Sequence, residues 1–101
     1  MDAVFDSLAE PNRRRILDLL RDGERPVGDL VAALRISQPG ISKHLRVLRE
    51  AGLVRARVDG QRRLYALAPE MLAGVDAWLA PYRRFWVDRL DRLEAHLDQE
   101  H

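Results

Sequence analysis

Two short alternating runs meet at Asp59-Gly60 in the segment LVRARVDGQRRLYALA, residues 53–68. Val54, Ala56 and Val58 oppose Arg55 and Arg57 in the first run, and alternation resumes from Arg63 to Ala68. A period of two marks a strand with one buried face, and Asp-Gly between two such runs is a strong signal for a two-residue hairpin turn. On either side the apolar residues repeat at the helical period instead. An isolated hairpin is marginal in water, so this one must lie against helices. The fold class is mainly α with a small β-hairpin.

The helices follow from apolar spacing and end signals. Val4, Phe5 and Leu8 share one side of a short helix over 2–9. Pro11 suits the first turn of a second helix, where its missing N–H has no partner to lose. Ile16, Leu17 and Leu20 form its apolar face, and Asp22-Gly23 stops it near Arg21. A third, short helix runs from Val27 to Leu34 with Leu30, Val31 and Leu34 apolar. After a tight turn at Arg35-Ile36, the Ser37 hydroxyl offers an N-cap to a fourth helix with Pro39 in its first turn. Ile41, Leu45 and Leu48 recur at i, i+4, i+7, and Ala51-Gly52 ends this helix. From Pro69 a helical stripe continues through Leu72, Val75, Leu79, Tyr82, Trp86, Leu90, Leu93 and Leu97. Pro81 predicts a kinked or split helix near Leu79–Ala80. The order ααααββα describes one winged helix-turn-helix domain over 1–101. Helices and wing occupy 1–68, and the C-terminal dimerisation helix or helices occupy 69–101.

Charge is unevenly placed along this frame. Between Ser37 and Arg63 the chain holds Lys43, Arg46, Arg49, Arg55, Arg57, Arg62 and Arg63 against only Glu50 and Asp59. The rest holds ten cations and fourteen anions, so one face is set to meet a polyanion. Arg and Lys are almost never buried unpaired, so a core does not explain the cluster. The fourth helix has polar Gln38, Ser42, Lys43, Arg46 and Arg49 opposite its buried stripe. An α-helix about 10–12 Å across fits a major groove about 12 Å wide, and amide and cationic donors pair with purine edges there. The hairpin tip Gln61-Arg62-Arg63 is suited to phosphate or minor-groove contact, which gives affinity and register. Arg13-Arg14-Arg15 reads as a set of partners for acidic side chains, with phosphate contact as the alternative. The partner implied is double-stranded DNA.

These residues carry a resemblance. The stretches SLAEPNRRRILDLL, ISQPGISKHLRVLREAGLV and DGQRRLYAL are similar to the ArsR/SmtB family of bacterial winged-helix repressors, from Phe5 to Leu67. The resemblance implies a homodimer that represses transcription by binding an operator of inverted-repeat character. It also implies a recognition helix acting through Gln38, Pro39, Ser42 and Lys43. Members that sense metals often carry two cysteines in the third helix; this chain has none, and Pro26 and Gly28 stand at those positions. The other common site uses D-x-H and H-x-x-E in the last helix, whereas His96 here is followed by Gln99. No metal site and no cofactor are expected, and the effector is unknown. Gly40 stands where the resemblance implies Ala, Ser or Thr. It either lets the backbone approach DNA or is simply tolerated, at about 0.5–1 kcal/mol relative to Ala.

Three histidines and four aromatics remain. His44 in the basic helix either hydrogen-bonds a phosphate or packs at the helix interface; His96 and His101 read as surface residues near a helix end. Trp78, Tyr82, Phe85 and Trp86 fall within nine residues. With Phe5, Leu79, Leu90 and Leu93 they read as a dimer interface, the alternative being an effector pocket between tail and first helix. No nucleophile–base pair, paired carboxylate motif or Gly-rich phosphate loop points to an enzyme. An acidic N-terminus, no apolar run of membrane-spanning length and no cysteine fit a cytoplasmic DNA-binding regulator. The competing reading is a winged-helix interaction module docking an acidic protein.

Overall fold

The computed structural model describes residues 1–99, and His101 lies outside them. The order is α1 (Asp2–Ala9), α2 (Pro11–Leu20), β1 (Arg25–Pro26), α3 (Val27–Leu34), α4 (Gln38–Glu50), β2 (Val54–Asp59), β3 (Arg62–Leu67) and α5 (Pro69–Gln99). This is the winged helix-turn-helix, with one element more than the sequence revealed. β1 pairs antiparallel with β3, Arg25 opposite Tyr65 and Pro26 opposite Leu64, giving the sheet order β1-β3-β2. Two residues are too few to show alternation. Pro26 is tolerable there because β1 is an edge strand, and the Arg25 Nε donates to the Leu19 carbonyl at 3.0 Å.

The wing hairpin is in register from Val54 opposite Leu67 to Asp59 opposite Arg62. Gly60 takes φ 63° at its turn, the positive value a tight hairpin requires. The turn between α3 and α4 rests on Arg35, which is left-handed at φ 57° and donates its N–H to the Val31 carbonyl at 2.9 Å. The Ser37 hydroxyl then accepts from the Gly40 N–H at 3.2 Å, capping α4. Ile41, Leu45 and Leu48 are completely buried with Ile16, Leu30 and Leu53. Each such side chain contributes about 1.5–3 kcal/mol of burial, so α4 is held rigidly by one face while the other stays in solvent.

The arginine run of α2 acts differently from the acidic pairing expected of it. Arg13 donates from Nε to the Ser7 carbonyl at 2.8 Å and from Nη2 to the Asp6 carbonyl at 3.0 Å. Arg14 Nη1 donates to the Leu8 carbonyl at 2.7 Å, and Arg15 Nη1 reaches the Asn12 side chain at 3.1 Å. The last carbonyls of a helix lack intrahelical donors, and cations complement that end of the dipole. Arg13 and Arg14 therefore fasten α1 to α2 through backbone oxygens, which a comparison of charges cannot reveal.

The last helix is continuous from Pro69 to Gln99, so of the kinked or split helix expected at Pro81 the split is not present. Pro81 is exposed, and the carbonyl deprived of its donor, that of Ala77, belongs to an exposed residue that water reaches. At the near end, Leu72 and Val75 pack on the core. Trp78 then meets Phe5 edge-on at 5.3 Å between ring centroids and Tyr82 at 5.0 Å. Beyond that the helix projects from the body. The long dimension is 64 Å and the radius of gyration is 18.4 Å, against about 13 Å for a compact chain of this length.

Candidate nucleic-acid interface

Gln38, Ser42, Arg46 and Arg49 follow one another at spacings of four, four and three, so they share one side of α4. Arg63 and Tyr65 are two apart on β3 and share one face of the sheet. The packing sets these two rows opposite each other. They enclose a groove of about 400 Å³ lined by Val27, Gln38, Ser42, Leu45, Arg46, Arg49, Arg63 and Tyr65.

Of the residues singled out from the sequence, Gln38, Ser42, Arg46 and Arg63 come together in this groove. Pro39 and Lys43 lie one step around α4 and are exposed beside it, and Gln61 and Arg62 are exposed at the wing tip. Arg49 and Tyr65 line the groove without having been named as site residues. Both were within reach, Arg49 by its helical spacing from Ser42 and Tyr65 by its alternation with Arg63. The Arg63 guanidinium carbon lies 6.0 Å from the Tyr65 ring centroid, at the outer limit of cation–π attraction. Tyr65 is only 7% exposed, so a buried ring lies beneath an exposed cation.

His44 does not belong to this surface. Its buried Nδ1 has no hydrogen-bond partner and faces Glu10 Oε2 at 3.9 Å. That same carboxylate caps α2 by accepting the Arg13 N–H at 2.9 Å. Of the two sequence readings of His44, packing at the helix interface is the one the structure adopts; its position on α4 turns the ring toward α2. Gly40 is also confined from within, since a Cβ there would lie 2.9 Å from the Ile36 Cγ2 methyl and 3.2 Å from the Ser37 hydroxyl. Either neighbour must give way for a larger residue.

The seven cations of residues 37–63 divide into two groups. Arg57 grips Glu24 with two guanidinium nitrogens, Arg55 pairs with Glu70, and Arg62 lies 3.5 Å from Asp59. The hydrogen bond from Arg57 holds the Glu24 carboxyl below its usual range and in turn raises Arg57. Glu70 is lowered by its own backbone N–H first and by Arg55 second. Among the described residues, Lys43, Arg46, Arg49 and Arg63 have no carboxylate partner. Three of these four line the groove and the fourth stands beside it. The surplus positive charge therefore sits along the groove, on the solvent side of α4 and on β3 across from it.

The expected interface residues lie elsewhere. Phe5, against Trp78, and Leu79 are half-buried, while Tyr82, Trp86, Leu90 and Leu93 are 44–60% exposed along α5. Among the described residues no helix is long and apolar enough to cross a membrane.

A family model described as the bacterial regulatory protein, arsR family, matches residues 10–56, which run from the cap of α2 into β2. The HTH-type transcriptional regulator Rv2034 of Mycobacterium tuberculosis is 38% identical over 98% of this chain and 90% of its own length. The transcriptional repressor SdpR of Bacillus subtilis is 37% identical over 78% of this chain and 88% of its own. Among solved structures, the homodimeric winged helix-turn-helix DNA-binding domain of Mb0332 from Mycobacterium bovis superposes with a TM-score of 0.68 at 35% identity, covering 82% of this chain and 77% of that one. The geometry and these likenesses agree: the chain belongs to the arsR family of bacterial regulatory proteins and is a winged helix-turn-helix transcriptional regulator.

Proposed function

We propose that this chain acts as a homodimeric repressor that binds an inverted-repeat operator in the bacterial cytoplasm, by binding rather than catalysis. In this reading residues 1–68 form the DNA-reading unit and 69–101 the pairing helix. Gln38, Ser42 and Lys43 face base edges in the major groove, where amides pair with adenine and cationic donors with guanine. Pro39, exposed in the first turn, offers those edges an apolar neighbour at the groove. Arg46, Arg49 and Arg63 neutralise phosphates along the groove wall, and Gln61 and Arg62 extend that contact along the wing. The observation that carries the reading is the groove between α4 and β3, whose cations lack carboxylate partners while the other arginines of the same segment have them.

The homodimer is supported by the exposed apolar stripe of α5 and by the homodimeric state of the Mb0332 domain. A two-fold axis places two recognition helices at successive major grooves, about 34 Å apart. Selection of bound sequences from random duplexes tests the whole reading. It should return an inverted repeat with half-sites one helical turn apart. Unrelated sequences with no symmetry would refute it, and binding only to acidic proteins would favour the interaction module instead.

A further inference from the structure

The helix-turn-helix and its wing leave a concave apolar surface unused. Leu8 of α1, Leu17 of α2, Leu67 of β3 and Leu72 of α5 wall a groove of about 340 Å³, with Arg14, Asp18 and Arg21 on its rim. Leu8, Leu67 and Leu72 are only half-buried there. Small-molecule sites occupy about 300–1,000 Å³ and combine apolar walls with a few polar groups, and this groove meets both conditions. We propose that it binds a small aliphatic carboxylate, the hydrocarbon against the leucines and the carboxylate at the arginines.

Charge and shape select this occupant. The rim holds two guanidinium groups and one carboxylate. Among the described residues Arg21 has no carboxylate partner, and Asp18, one turn earlier on α2, has no cation partner. Arg14 is held at the mouth by its bond to the Leu8 carbonyl at 2.7 Å, which leaves its other N–H groups to donate. A planar guanidinium matches a carboxylate with two parallel hydrogen bonds. Asp18 reduces the preference for an anion without reversing it. A second copy of the chain is the poorer fit, because the exposed stripe of α5 is a long convex ridge whereas this groove is short and concave. Occupancy would have a consequence, since the walls join β3, which carries Arg63, to the first turn of α5.

The test needs no DNA, so its failure is distinct from failure of the operator reading. Octanoate, octanol and octylamine are titrated into the full chain by calorimetry, with circular dichroism to verify the fold. Octanoate should bind saturably at one molecule per chain and at least about tenfold more tightly than octylamine. Arg21→Gln, an exposed change, should weaken octanoate about tenfold while leaving octanol unaffected. Leu72→Phe should fill the groove and abolish binding of both. Equal binding of the three head groups, octanoate binding indifferent to Arg21→Gln, or no saturable binding of octanoate would each overturn the proposal.

Discussion

Trp86→Ala is the substitution whose effect follows most directly from the exposed half of α5. Trp86 is 44% exposed in the single chain, and it lies beyond the core residues that hold the winged body together. For a Trp of about 250 Å², covering that remainder removes about 110 Å² from water, or about 2.7 kcal/mol per subunit at ~25 cal/mol per Å². A two-fold interface counts the change twice. Even half of the doubled figure weakens the dimer about a hundredfold. Sedimentation equilibrium should therefore find Trp86→Ala monomeric at concentrations where the parent is dimeric, with operator affinity lost in parallel. Circular dichroism and thermal unfolding check that the winged body remains folded. A folded Trp86→Ala variant that stays dimeric, or a monomer that binds the full operator at parental affinity, would refute the reasoning and leave the aromatic segment without a pairing role.

Further outcomes follow from the same structure. Gln38→Ala should relax sequence preference, at about 1–3 kcal/mol for a lost base contact, whereas Arg63→Ala should weaken all duplexes alike and lower the salt slope by about one; binding isotherms at several salt concentrations separate the two. Arg13→Ala should destabilise the fold by about 1–3 kcal/mol in thermal or denaturant unfolding, because two carbonyls of α1 lose their donor, while Arg15→Ala should be nearly neutral. Glu24 is held below its usual pKa by Arg57, so its contribution is present above the unfolded pKa and disappears as pH falls through the folded one; the melting difference between parent and Glu24→Gln should be small at about pH 7 and vanish in acid as Glu24 becomes protonated in the folded chain. Micromolar zinc, cadmium or arsenite should leave the operator affinity of metal-stripped protein unchanged, since Pro26 and Gly28 stand at the expected cysteine positions; a stoichiometric loss of binding would contradict this.

The parts of the fold legible in the sequence are those whose signal is local. Ile41, Leu45 and Leu48 announce α4 by spacing, Ser37 and Gly52 mark its ends, and Asp59-Gly60 marks the hairpin, although the two turn residues are Gly60 and Gln61 because Asp59 still pairs with Arg62. What escaped depends on distant partners or on backbone groups. β1 exists only because Arg25 and Pro26 find β3 some forty residues later. Arg13 and Arg14 bond carbonyls, which one-letter chemistry does not display. Pro81 is a strong local breaker, yet α5 runs through it with the proline on an exposed face. For the candidate site, Gln38, Ser42, Arg46 and Arg63 were found by charge and period. Arg49 follows from its helical spacing from Ser42 and Tyr65 from its alternation with Arg63, but that the two rows face each other depends on β3 packing across from α4. For His44 the sequence leaves phosphate contact and packing at the helix interface equally open, and only the fold shows its Nδ1 turned toward Glu10.

The central claim is that the groove between α4 and the wing receives DNA. It is tested most directly by following backbone amide resonances of the full chain while a selected inverted-repeat duplex is added. Gln38 to Arg49 on α4 and Gln61 to Tyr65 on the wing should shift strongly and together, with the effect diminishing as salt is raised. Shifts confined to α1 and α5, with the residues of the α4 groove unmoved, would contradict it.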